Sequence, residues 1–232
     1  MWRVGVAGGV GPEQRGALGA QGERLGASAP LPGALGRWRS VVTVSAVYAC
    51  MGAAAAGVAV GLGLDPIACS GWLGMRGAAS AVSSLGMGLC VSTAAIVATR
   101  KLARRAGWAR ALHAALRPAV EGAGDAGLFA VALASGVGEE LLFRGLLVQV
   151  VGLVVASLLF GALHQIRGSA RWGWMALATA IGLLFAVVFR ATGSLLGPIA
   201  AHALINGANL RYLRDRDPEP PRRPMGGLLR RA

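Results

Sequence analysis

Five long apolar stretches constrain this chain more than any other feature: residues 41–64, 77–99, 126–163, 172–189 and 191–210 are almost free of charge. A bilayer core takes about 20 apolar residues per helix. The third stretch, at 38 residues, is long enough for two spans, so six are expected. Only 14% of the residues are charged, against roughly 25% in soluble domains. Six buried helices of a soluble protein would leave too little polar surface in 232 residues. The expected fold is all-α: a polytopic membrane bundle of about six transmembrane helices with one interfacial helix.

The net charge of +13 is distributed by side. Of the 23 Lys and Arg, twenty lie in residues 1–40, 100–117, 167–171 and 211–231. With six spans these four segments share one face of the membrane, while Arg76 and Arg190 fall on the other and Arg144 lies within a span. Basic loops stay in the cytoplasm, so both termini are expected there, in a bacterial inner (plasma) membrane. Anionic lipids are expected partners of the same residues. Nucleic acid is not, because no soluble domain is left to recognise it. Cys50, Cys69 and Cys90 have no CxxC spacing and give neither a disulfide framework nor a thiolate metal site.

Three regions follow. Residues 1–36 read as a disordered cytoplasmic leader without a signal-peptide core, 37–213 as the transmembrane bundle, and 214–232 as a disordered basic tail. Asp65-Pro66 predicts an outer turn. Gly57 and Gly61, four apart, would allow a neighbouring helix to approach closely. Residues 101–117 read as the interfacial helix, with His113 a solvated surface histidine. A reversal is expected near residues 149–152, and Trp172 and Trp174 read as interfacial anchors.

Ionisable groups inside apolar spans are expensive and mark function by default. Here they are Glu139, Glu140 and Arg144 on the third helix, His164 ending the fourth, and His202 with Asn206 on the sixth. Glu140 and Arg144 are four apart and can pair across one helical turn. His202, Asn206 and Asn209 share a face, and Ser135, Gly136 and Gly138 are small enough to admit a neighbouring helix. Counted from the inner helix ends, His164 falls roughly 10 Å short of the depth of Glu139 at a rise of 1.5 Å per residue.

Glu139-Glu140-Leu141-Leu142-Phe143-Arg144-Gly145 resembles the EExxxR motif of the CAAX-processing and bacteriocin-processing (CPBP, or Abi) intramembrane proteases, relatives of the type II CAAX prenyl endopeptidases. Phe160 to His164 resembles their FxxxH motif and His202 to Asn206 their HxxxN motif, in the family order. The resemblance covers about residues 125–210 and rests on three motifs occurring together. It implies an intramembrane endopeptidase acting on a membrane-associated, prenylated or bacteriocin-type peptide or protein. In that reading Glu139 is the general base, His164 orients the water, and His202 and Asn206 face the oxyanion; Glu140, Arg144 and Phe160 support them. Glu139, His164 and His202 also form a His₂Glu set of the kind that holds catalytic zinc. The adopted reading is a glutamate mechanism without tightly bound metal, and zinc is the one cofactor left open. Two other classes stay open: a non-proteolytic immunity or scaffold protein of the same fold, and a proton-coupled transporter relaying through Glu139 and Glu140. A transporter would more often show repeated halves, and none is visible.

Overall fold

The structure, a computed structural model, describes residues 32–217, with side chains from Ser40 onward. Most of the expected leader and tail therefore lies outside the described residues. The elements are α1 (Pro32–Gly61), α2 (Gly77–Arg105), α3 (Gly107–Val120), α4 (Asp125–Glu140), a π-helical segment (Leu141–Leu147), α5 (Val148–Val151), α6 (Leu153–Leu163), α7 (Arg171–Thr192) and α8 (Leu196–Asp215). No strand occurs among the described residues. The fold is all-helical, as the hydropathy pattern requires.

Four helical stretches are long and apolar enough to cross a bilayer: Ser40–Gly61, Gly77–Arg105, Asp125–Val151 and Arg171–Thr192. Only 11% of the apolar window of the first is buried within the protein, and 22% of the second. Val42, Val47, Val58, Val60 and Val82 accordingly point outward. Apolar faces of that extent are stable only against lipid. This is an integral membrane protein.

The two remaining apolar stretches form different kinds of helix. α6 has only 11 residues, about 16 Å at 1.5 Å per residue, and cannot cross alone. α8, with 20 residues, is long enough but carries the polar face of His202, Asn206 and Asn209.

One end of the bundle gathers the basic segments. Arg214 bonds Asp125 at 2.8 Å and the Ala123 carbonyl at 3.0 Å, Arg117 pairs with Asp217, and Arg100 donates to Asn209 at 2.8 Å. Residues 214–217, assigned to the tail by sequence, are thus tied to the bundle. His113 is buried rather than solvated: its Nε2 lies 2.9 Å from the Arg216 carbonyl, and its ring packs edge-on against Tyr212. Buried polar groups take partners, and the partner here comes from a segment far away in sequence. The amphipathic helix begins at Gly107, after a break at Ala106 where α2 ends, rather than at 101.

At the opposite end Asp65 Oδ1 accepts from the Ile67 and Ala68 amides at 2.9 and 3.1 Å, making the expected turn. The following loop pairs with the α7–α8 connection through Cys69 N to Gly193 O (3.0 Å) and Leu195 N to Ile67 O (3.0 Å).

Close helix contacts fall where the smallest residues sit. A Cβ on Gly136 would lie 3.1 Å from Ala203 N of α8, and one on Gly138 would strike the Tyr48 backbone of α1. Gly57 and Gly61 have nothing within 4 Å, so that pair joins no helix among the described residues.

Candidate active site

The site forms where α4, α6 and α8 meet, and its depth follows from the turn at Gly152. Gly152 has φ +83°, a backbone state that favours glycine, and the chain reverses there. Glu139 lies 13 residues before Gly152 and His164 lies 12 after it. At 1.5 Å per residue both sit about 18–20 Å from the turn. The expected 10 Å offset vanishes because α6 ends in mid-bundle instead of at the inner surface.

The wide π-helical turn begins one residue after Glu140. Bonding i→i+5 puts more residues in each turn, so a residue four positions on lies almost directly above; such insertions often mark functional sites. Arg144 stands over Glu140, with Nη1 2.8 Å from Oε1. Its Nη2 donates to the Gly182 carbonyl of α7 at 2.8 Å. The guanidinium lies over Phe160 at 4.7 Å, with Phe185 at 5.2 Å. Arg144 is 1% exposed and Glu140 0%. Glu140 Oε2 is left without a hydrogen-bond partner, and such a buried pair holds geometry more than it adds stability.

That pair orients the first imidazole. Glu140 Oε1 also lies 2.7 Å from Nδ1 of His202. Nδ1 of His164 lies 2.7 Å from the Phe160 carbonyl, one turn back. Both partners can only accept, so both Nδ1 atoms carry hydrogen, and each neutral ring turns the lone pair of Nε2 away from its anchor. The two Nε2 atoms converge on one atom: Glu139 Oε2 lies 3.9 Å from that of His164 and 3.8 Å from that of His202. Glu139 Oε2 is buried and bonds no protein group. Three acceptors therefore face one another with no protein hydrogen between them. Electrostatics requires a shared water, a protonated imidazole or a cation at this point.

The donor set has the chemistry of catalytic zinc, including Nδ1 anchors of the usual second-layer kind. Its spacing is wider. Two donors on a tetrahedral zinc stand about 3.4 Å apart, given bonds of about 2.0–2.1 Å. Among the described residues no three His, Cys, Asp or Glu side chains are grouped closely enough to hold a metal ion.

Asn206 lies one turn beyond His202, and its Nδ2 donates to Ser135 Oγ at 2.9 Å. One of its two N–H groups is thereby used. A small pocket lined by Phe160, His164, Trp174, His202, Asn206 and Asn209 adjoins the site. Asn209 shares that face, but its amide oxygen is held by Arg100 and Thr99.

All seven residues singled out by sequence meet in this region. Phe160 packs at 4.3 Å from His164 and 4.9 Å from Phe143. Trp174 packs against His164, with ring centres 5.5 Å apart, and Trp172 is exposed. Two neighbours were not foreseen, Tyr48 and the Gly182 carbonyl. A tyrosine in the middle of the first span was the available signal for the first. A backbone oxygen on a distant helix gives none.

Fold and site together define a helical integral membrane protein with a carboxylate and two imidazoles converging inside the bundle. Residues 126–208 match the family model described as type II CAAX prenyl endopeptidase Rce1-like. The segment from α4 into α8 is thus similar to the Rce1-like family, whose motifs the sequence resembles. The chain is also 43% identical over 68 residues to YpbD, an uncharacterized protein of Bacillus subtilis. That match covers 29% of this chain and 35% of the relative, so the chain spans about a third of that protein's length. No solved structure matches.

Proposed function

We propose that this chain is an intramembrane endopeptidase that hydrolyses a peptide bond of a membrane-associated substrate with a water activated by Glu139. The observation that carries this reading is the convergence of Glu139 Oε2 with the Nε2 atoms of His164 and His202. A water there donates one hydrogen to the carboxylate and the other to an imidazole, and presents its oxygen lone pair to a scissile carbonyl. Glu139 takes the proton as the C–O bond forms and delivers it to the leaving nitrogen as the C–N bond breaks. Asn206 offers its unused N–H to the oxyanion. His202, its Nδ1 hydrogen held by Glu140, lines the oxyanion position beside Asn206. In a low-dielectric pocket each such bond is strengthened.

The end carrying Arg100, Arg117 and Arg214 is the one that the distribution of basic residues assigns to the cytoplasm. The reading is completed by a bacterial plasma membrane, cytoplasmic termini and a basic face against anionic lipids. Substrates are prenylated or bacteriocin-type peptides entering from that side.

The test is cleavage of a farnesylated CAAX peptide and of an unlipidated bacteriocin-leader peptide by the protein in proteoliposomes. Glu139→Gln should reduce the rate by about 100-fold or more, the range lost with a general base, with helix content retained. Asn206→Ala should lower kcat while substrate still binds. A zinc chelator should have no effect; inhibition reversed by added zinc would transfer the chemistry to a metal. Binding without cleavage by the wild-type protein would leave a scaffold or immunity protein.

A further inference from the structure

The face of α8 that carries His202 and Asn206 continues one turn to Asn209, which the hydrolysis above leaves without a task. Arg100 of α2 fixes how that amide points. A guanidinium is a donor only, so the atom its Nη1 reaches at 2.8 Å is the amide oxygen, and Nδ2 is turned away from it. Arg100 is itself held. Its Nη2 donates to the Ala208 carbonyl at 2.8 Å, and the guanidinium lies 4.0 Å from the centre of the Tyr212 ring. The half-buried Asn209 lines the same pocket as His164, His202 and Asn206. No acceptor among the described residues takes its Nδ2 hydrogens.

Resting on the reading above, we infer that Asn209 is a substrate-positioning residue, which binds a main-chain carbonyl of an extended peptide two residues from the scissile one. Residues three apart on a helix have Cβ atoms about 5–6 Å apart. Alternate carbonyls of an extended chain point the same way, about 6.6–6.8 Å apart at 3.3–3.4 Å per residue. Rotation of the two amide side chains closes that small difference. Asn206 and Asn209 then form two rungs of N–H donors along one peptide. The first meets the scissile carbonyl as it becomes an oxyanion, and the second meets a carbonyl that the reaction leaves unchanged. Binding that is equal in ground and transition states sets affinity rather than rate. These rungs read backbone, so they select a segment that arrives extended; in a helix the same carbonyls are taken by the helix's own amides.

Asn209→Asp keeps an oxygen on Arg100, so the tie between α2 and α8 is retained, and it exchanges the two donors for an acceptor that repels a carbonyl. In proteoliposomes with the farnesylated peptide, KM should rise about tenfold, the upper range for one neutral hydrogen bond, with kcat within about twofold. A residue that only ties the two helices would leave KM unmoved. KM within about twofold of wild type, or a fall in kcat without a rise in KM, overturns the inference. The substrate side gives a second reading, from peptides with one thioamide, a weaker acceptor, two residues to either side of the scissile bond. One of them should raise KM for the wild type and not for Asn209→Asp; an equal loss in both proteins refutes the contact. Binding without turnover separates this inference from the proteolytic reading. Glu139→Gln should hold a fluorescent form of the peptide about tenfold more tightly than Glu139→Gln combined with Asn209→Asp. If the wild type cleaves nothing while that difference persists, the proteolytic reading fails and the Asn209 contact stands; equal affinities refute the contact.

Discussion

Arg144→Met removes the charge at the centre of the site while keeping much of the volume. Arg144 makes two hydrogen bonds at 2.8 Å, to Glu140 and to the Gly182 carbonyl. Charge-assisted bonds contribute about 1.5–3 kcal/mol each, and breaking a buried pair from one side costs about 3–5 kcal/mol. The two estimates agree, and the second already includes the stranded carboxylate. For a chain of this size 1 kcal/mol moves Tm by about 2–4 °C, so a fall of roughly 6–20 °C is expected. The assay is the fraction remaining monodisperse in detergent after heating to graded temperatures. The diagnostic is the double variant Arg144→Met with Glu140→Met, because apolar replacement of a whole buried pair is neutral or stabilising by about 1–4 kcal/mol. The double variant should regain part of the lost stability, limited by His202 Nδ1 losing its acceptor, and should remain inactive. A single variant within about 1 kcal/mol of wild type, or a double variant less stable than the single, would refute the ion-pair account.

Gly161→Ala should lower both stability and activity, because its methyl would collide with Thr179 Oγ1 and lie 2.8 Å from the Met175 carbonyl. Separating α6 from α7 displaces Phe160 and His164, at about 1–3 kcal/mol for overpacking, measurable by the same heating assay and by kcat. Asp125→Asn breaks exposed contacts to Arg211 and Arg214 and should change stability by less than about 1 kcal/mol; a larger loss in the heating assay would make the basic end a structural lock. Cys69 lies in the loop outside the spans, and its thiol is raised above 9.0, chiefly by burial. A raised thiol holds less thiolate at neutral pH, so alkylation should be slow at pH 7 and accelerate above pH 9, read by mass shift. Rapid labelling at pH 7 would show that the loop opens.

Sequence carried the chemistry of the site further than its geometry. Glu140 and Arg144 could be paired from their spacing alone, because one helical turn fixes the distance. The glycines at 136 and 138 announced close packing for the same local reason. Gly57 and Gly61 carry the same pattern and pack on nothing, since spacing says that a helix can approach but not that one does. His113 was misplaced because its partner, Arg216, is distant in sequence. The third apolar stretch was long enough for two spans, and hydropathy could not show that it divides unequally at Gly152.

That unequal division links the fold to the chemistry. A sixth full-length span in place of α6 would carry its terminal histidine to the membrane surface, far from Glu139. Ending α6 after 11 residues stops His164 level with the carboxylate. The same shortening thus sets the depth of the second imidazole. Closing the helix–helix gap elsewhere falls to glycines, because a side chain of ordinary size at Gly136 would hold α8 too far from α4 for His202 to reach Glu140. The polar cluster is therefore expensive to bury and yet narrowly fixed: four helices must meet at one depth for it to exist.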